Sequence, residues 1–190
     1  MRDLNPKKEI CYTIMKIIKF KIITILLSIF FFLSLYSQDR SMASLKIGNN
    51  IPDIPMYTLD DERFTLYEGL EKIGSDKILL LNFTSAYCKP CKIEIPELLK
   101  IKEKNEKIEL WFIFVGDEAE IINSKVKEFN IPRDIKILKD PLQTSLKRLN
   151  NSAVPLSFLV LSDKKIASYS IGYTPEKFKE FNSQLNRIIK

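Results

Sequence analysis

Two uninterrupted apolar runs, KILLLNF at 77–83 and IELWFIFVGD at 108–117, constrain this chain more than any other feature. A strand with one wet face alternates apolar and polar residues, whereas a run apolar at every position is a strand covered on both faces. The segment between them, 89 to about 106, reads as a helix. Covered strands joined through a helix predict an α/β sandwich built on a mixed sheet. The flanking sequence fits around that centre. IPMYTLDDERFTLYEG holds two β-prone runs about Asp60 and Asp61, a predicted hairpin. EAEIINSKVKEFN reads as a second helix, DIKILKD as a short strand, and PLQTSLKRLN as a short helix. LSFLVLSDKKIASYSIGY gives two strands about the polar turn SDKK. The final TPEKFKEFNSQLNRIIK is a helix with Thr174 as cap and Pro175 in the first turn. Its Phe178, Phe181, Leu185 and Ile188 form one apolar stripe suited to core packing.

A chain of 190 residues holds one such domain with room for a targeting segment. The targeting segment is visible. Lys16, Lys19 and Lys21 precede the uncharged run IITILLSIFFFLSLY at 22–36, which is short for a spanning helix. A basic flank followed by an apolar run predicts a signal peptide, or an uncleaved membrane anchor, over residues 1–37. Small residues offer cleavage after Ser37 or after Ala43, residues 38–46 read as a linker, and 47–190 as the folded domain. The domain is therefore expected on the oxidising side of a membrane, in the periplasm or on the outer face of the cytoplasmic membrane. The net charge of +6 does not argue for nucleic acid, because +4 of it belongs to residues 1–37. The remaining lysines alternate with acids along helices, which is a solvated surface and not a phosphate-tracking stripe.

There is no histidine in the chain. Ser-His-Asp triads, Cys-His dyads and His-ligated metals are excluded. Of the three cysteines, Cys11 lies in the basic N-terminal segment, leaving Cys88 and Cys91 in the stretch SAYCKPCKIEIPEL. The pair sits where a buried strand ends and a helix begins. A helix N-terminus carries partial positive charge and free N–H groups, so it favours a thiolate, the reactive form of cysteine. The spacing lets the sulfurs close a small disulfide ring. Cys88 then falls at the exposed mouth as nucleophile, and Cys91, one turn into the helix and facing the sheet, as the resolving thiol. Pro90 suits the first turn, and Lys89 beside the nucleophile favours the thiolate by charge. Three other uses of the pair compete: half of a zinc site, a dithiol for a soft metal such as copper, and inert core thiols. Zinc lacks its further ligands here, and a polar Lys-Pro bridge suits no core.

The stretch LLLNFTSAYCKPCKIEIPEL resembles the active-site strand and helix of thioredoxin-fold proteins, most closely the exported TlpA/ResA-like thiol–disulfide oxidoreductases. Asn82, Phe83, Cys88, Pro90, Cys91, Glu94 and Pro96 match that pattern, and SAVPLSFLV is similar to the family's cis-proline loop. The likeness spans about residues 46–190. Thr84 and Tyr87 stand where the family usually has tryptophan, which alters the surface that meets a partner. The resemblance implies a thioredoxin-like α/β fold, a mixed central sheet flanked by helices with an N-terminal β-hairpin, and a redox-active Cys88–Cys91 disulfide. It implies that Glu94 shuttles protons, because Asn82 occupies the position of the buried aspartate of cytoplasmic thioredoxins. It implies a cis Pro155 that exposes Val154 to a substrate strand, with Tyr87 at the same surface. The implied partners are protein thiols and disulfides, apocytochrome c among them, and a membrane dithiol that donates electrons. No cofactor or metal is implied. The alternative is a copper-binding or partner-docking module without redox turnover.

Overall fold

The computed structural model describes residues 19–24 and 45–189. Most of the basic and apolar N-terminal segment, with Cys11 and both cleavage positions, lies outside the described residues. The chain divides into Met1–Ser41 and Met42–Lys190. In the first unit, residues 19–24 are helical. Among the described residues no helix is long and apolar enough to cross a membrane.

The second unit runs β1 (Pro55–Tyr57), β2 (Arg63–Thr65), α1 (Leu66–Leu70), β3 (Ile78–Thr84), α2 (Lys89–Lys104) and β4 (Ile108–Val115), then α3 (Ala119–Glu128), β5 (Lys136–Asp140), α4 (Thr144–Arg148), β6 (Leu156–Val160), β7 (Ile166–Ile171) and α5 (Pro175–Ile189). Seven strands form one mixed sheet in the order β2-β1-β5-β4-β3-β6-β7. β3, β4 and β5 are parallel, and β6, β7 and the β1–β2 hairpin join antiparallel. The two apolar runs are the central strands β3 and β4, and every residue of β3 is buried. A strand buried on both faces needs an apolar layer above and below, and the two layers are separate. Leu79, Leu81, Phe83 and Trp111 face Leu66 and Leu70 of α1 and Leu146 of α4. Leu80, Phe112 and Phe114 face Ile95, Leu98 and Ile101 of α2, Ile122 of α3, and Phe181 and Leu185 of α5. Each fully buried side chain of this size is worth about 1.5–3 kcal/mol over an exposed one.

The hairpin departs from the sequence reading at one place. Its second run ends as strand at Thr65, and Leu66–Leu70 is a helix. The cause is a capping box: Glu68 N–H donates to Thr65 Oγ1 at 3.3 Å, and Thr65 N–H donates to the Glu68 carboxylate at 2.9 Å. The C-terminal helix begins as read. Lys177 N–H donates to Thr174 Oγ1 at 3.3 Å, and Phe181 and Leu185 are buried in the layer that also covers α2.

Candidate functional site

The parallel strands deliver their C-terminal ends to one edge of the sheet, and the dithiol sits there. After β3 the chain makes a short turn, with Cys88 N–H donating to Ser85 O at 3.1 Å. The turn is tied sideways to the end of β4, because Ala86 N–H donates to Asp117 Oδ2 at 2.8 Å. Asp117 is buried, so this bond holds the loop in a place water does not reach. Cys88 is the N-cap of α2, Lys89 and Pro90 start the helix, and Cys91 follows within the first turn. The two sulfurs are joined, with Cα atoms 5.3 Å apart. Cys91 N–H donates to Cys88 Sγ at 3.2 Å.

The two cysteines differ in access. Cys91 is 1% exposed, whereas Cys88 is half-buried among the exposed Tyr87, Lys89 and Pro90. The peptide bond between Val154 and Pro155 is cis. Val154 O lies 3.7 Å from Cys88 Sγ, and Pro155, buried, accepts at its carbonyl from Gly172 N–H at 2.8 Å. Tyr87 is 76% exposed. Of the two positions that depart from the tryptophans of the resembled family, Thr84 is wholly buried, so Tyr87 alone alters the outer surface.

Glu94 is one turn after Cys91 and only 3% exposed. Asn82 Nδ2 donates to its Oε2 at 2.9 Å, and Ser157 Oγ donates to its Oε1 at 3.1 Å. Asn82 Nδ2 also donates to Ser157 Oγ at 2.8 Å. Burial raises the Glu94 carboxyl from its ordinary value to about 7, against the pull of the two donors. The site thus holds a disulfide whose outer sulfur is reachable and whose inner sulfur is sealed, with a buried acid one helical turn on that gains or loses a proton near neutrality. That set is suited to thiol–disulfide exchange with internal proton transfer.

The raised value has a consequence for stability. Between 4.5 and about 7 the folded state keeps a proton on Glu94 that the unfolded chain has released. Stability therefore falls as pH rises through that window, by on the order of 3 kcal/mol. Glu94→Gln stays neutral throughout and removes this slope. Urea unfolding is expected to find the variant close to the parent at pH 4 and more stable at pH 8. A parent and variant that keep the same difference at both values would contradict it.

Ser157 and Asp117 escaped the sequence reading. A lone hydroxyl in the apolar run PLSFLV, two residues past Pro155, was the available signal for the first. Asp117 at the end of an apolar strand reads as an ordinary solvated turn.

No family model matches the chain. It is 26% identical over 150 residues to the thiol–disulfide oxidoreductase ResA of Bacillus cereus, covering 77% of this chain and 80% of that protein. Among solved structures, the thioredoxin domain of a Bacteroides vulgatus thiol–disulfide oxidoreductase superposes with a TM-score of 0.62 at 17% identity, covering 77% of this chain and all of that one. A secreted disulfide oxidoreductase of Mycobacterium tuberculosis superposes with a TM-score of 0.57 at 18% identity, covering 70% and 95%. The fold is thioredoxin-like, and the chain is a thiol–disulfide oxidoreductase similar to ResA.

Proposed function

We propose that this ResA-like oxidoreductase exchanges disulfides with exported proteins outside the cytoplasm, with Cys88 attacking, Cys91 resolving and Glu94 accepting the proton of Cys91. The placement of the two sulfurs carries the reading. Cys88 is reachable and receives the Cys91 N–H at the N-terminus of α2, whereas Cys91 is sealed beneath it. An amide donor and a helix N-terminus both favour the thiolate on the outer sulfur. In the reduced protein the Cys88 thiolate attacks a partner disulfide and forms a mixed disulfide. Cys91 then gives its proton to Glu94, attacks Cys88 Sγ and releases the partner as a thiol. Substrate backbone lies along Val154 and Pro155, Tyr87 meets its side chains, and Lys89 and Pro90 border the opening.

The net direction is reductive, serving thiols such as those of apocytochrome c, and a membrane dithiol restores the reduced state. The electrons travel in sulfur–sulfur bonds, so the reaction calls for no cofactor. Residues 1–37 export or anchor the chain, 38–46 link, and 47–190 work in the periplasm or at the outer face of the cytoplasmic membrane. Similarity to a secreted disulfide oxidoreductase supports this placement.

Cys91→Ser tests it. The variant is expected to accumulate a covalent adduct at Cys88, seen on non-reducing gels and identified by mass spectrometry of the trapped protein. The adduct should vanish when Cys88→Ser is added. A Cys91→Ser protein that recovers no adduct from the exported compartment would sink the assignment.

A further inference from the structure

Glu94 and Cys91 are sealed from the mouth of the site, at 3% and 1% exposure. A partner joined to Cys88 stands over that mouth during the resolving step. A proton received by Glu94 therefore needs another way to water.

The sheet behind Glu94 carries a polar row. Register sets Asn82 of β3 opposite Ser157 of β6, and Ser157 opposite Ser170 of β7. Strand alternation puts all three on the face that holds Leu80 and Leu159, the face covered by α2 and α5. Asn82 can only donate from Nδ2, and both its protons are used, one on Glu94 and one on Ser157. Ser157 is different, because a hydroxyl donates and accepts and turns to suit. Residues directly opposite on antiparallel strands have Cβ atoms ~4.5–5.5 Å apart. The Ser157 hydroxyl bonds Asn82 and Glu94 and makes no direct bond to Ser170, but this spacing puts the two hydroxyls within reach of one bridging water. Ser170 in turn lines a cleft of ≈ 230 Å³ between β7 and α5, together with Lys177, Glu180 and Gln184. β7 is the last strand of the sheet, and Lys177 and Glu180 are exposed, so the cleft meets solvent.

We propose that Ser157 and Ser170 form the route by which Glu94 exchanges its proton with solvent at the β7–α5 cleft. The route rests on the reading that Glu94 takes the proton of Cys91. In that step the Cys91 thiol gives its proton to the Glu94 carboxylate. The resulting thiolate attacks Cys88 Sγ, the Cys88–partner bond breaks as the Cys88–Cys91 bond forms, and the partner thiolate takes a proton from water. With Glu94 protonated, the Ser157 hydroxyl turns its own proton outward to a water bridging to Ser170 as Ser157 Oγ accepts the proton of Glu94, and one proton leaves to water in the cleft, restoring the carboxylate. The groups bonded to Glu94 are Asn82 from β3 and Ser157 from β6, and Cys91 is buried one turn before it on its own helix. At the outer end stand Glu180 and Lys177 of α5, the ammonium of Lys177 donating to Ile171 O at 2.9 Å.

Carbon-13 NMR of the Glu94 carboxyl in the oxidised full-length chain, held in detergent and assigned with Glu94→Gln, tests the route. Ser157→Ala removes a donor to the ionised form and is expected to raise the midpoint by about one pH unit, a tenfold change in proton affinity. Ser170→Ala touches no atom of Glu94. It is expected to leave the midpoint in place and slow exchange between acid and carboxylate roughly tenfold, since exchange would then wait on local opening. An unmoved midpoint in folded Ser157→Ala, or Ser170→Ala exchanging at the parent rate, overturns the route. Ser170 is half-exposed on an edge strand, so its variant decides the matter even where Ser157→Ala fails to fold. A separate outcome concerns the underlying reading. Glu94→Gln closing the Cys88–Cys91 bond at the parent rate from pH 6 to 8 overturns the role of Glu94, whatever the NMR finds.

Discussion

Cys88→Ala is expected to bring disulfide turnover down to the uncatalysed background, a loss on the order of 10³-fold or more. The asymmetry of the pair is the reason. Cys88 is half-buried at the mouth and accepts the Cys91 N–H, so it alone is both reachable and favoured as a thiolate. Cys91 is 1% exposed and cannot be approached by another protein's sulfur. Removing Cys91 leaves one stoichiometric attack intact, and removing Cys88 leaves none. The measurement is turnover of a disulfide-bonded protein substrate with dithiol as reductant, in a Cys11→Ser background so that no third thiol contributes. A Cys88→Ala protein retaining a tenth of parental turnover would reverse the roles given to the two sulfurs.

Gly69→Ala should destabilise the domain by roughly 2 kcal/mol or more, although alanine is the better helix former by about 1 kcal/mol. Gly69 lies in α1 with its backbone against the aromatic layer. A Cβ there would overlap the Trp111 ring and stand 2.6 and 2.8 Å from Phe64 ring atoms. The rings have little room to retreat. Trp111 is 1% exposed in the middle of β4, Phe64 packs edge-on at 5.7 Å between centroids, and the Lys136 ammonium lies 4.5 Å from the centre of one ring and 5.3 Å from the other. Three contacts of that kind outweigh a helix-propensity gain. Thermal or urea unfolding should show a loss of several degrees, at about 2–4 °C per kcal/mol for a domain of this size. The cost should shrink when Trp111→Leu is added, because the clash loses its partner. A Gly69→Ala protein as stable as the parent would mean that the layer is loosely packed.

The order of elements was legible because it depended on local signals. The apolar runs of β3 and β4 announced strands covered on both faces, and Thr174 with Pro175 announced the last helix. α1 was not legible, since five residues carry less than two helical turns and its Thr65–Glu68 capping pair lies among β-prone neighbours. The dithiol was readable from spacing and position, and Glu94 as an acid one turn beyond. What surrounds Glu94 was not. Asn82 is 12 residues before it and Ser157 63 residues after it, brought together by a strand pairing that spacing cannot show. Asp117 reaches the loop through a contact 31 residues away, and nothing local distinguishes it from a surface acid.

The bond between Cys88 and Cys91 closes a ring across a sequence separation of 3. A cross-link stabilises mainly by shortening the freedom of the denatured chain, and the effect grows with the length of loop it encloses. By that relation one this small is worth only about 2 kcal/mol, against about 4.7 for a 100-residue loop, while the sheet and its two apolar layers hold the rest. The bond is thus a working part and not a rivet. The protein can open and re-form it on every cycle at a cost of a few degrees in melting point and not of the fold, storing electrons without staking its architecture on them.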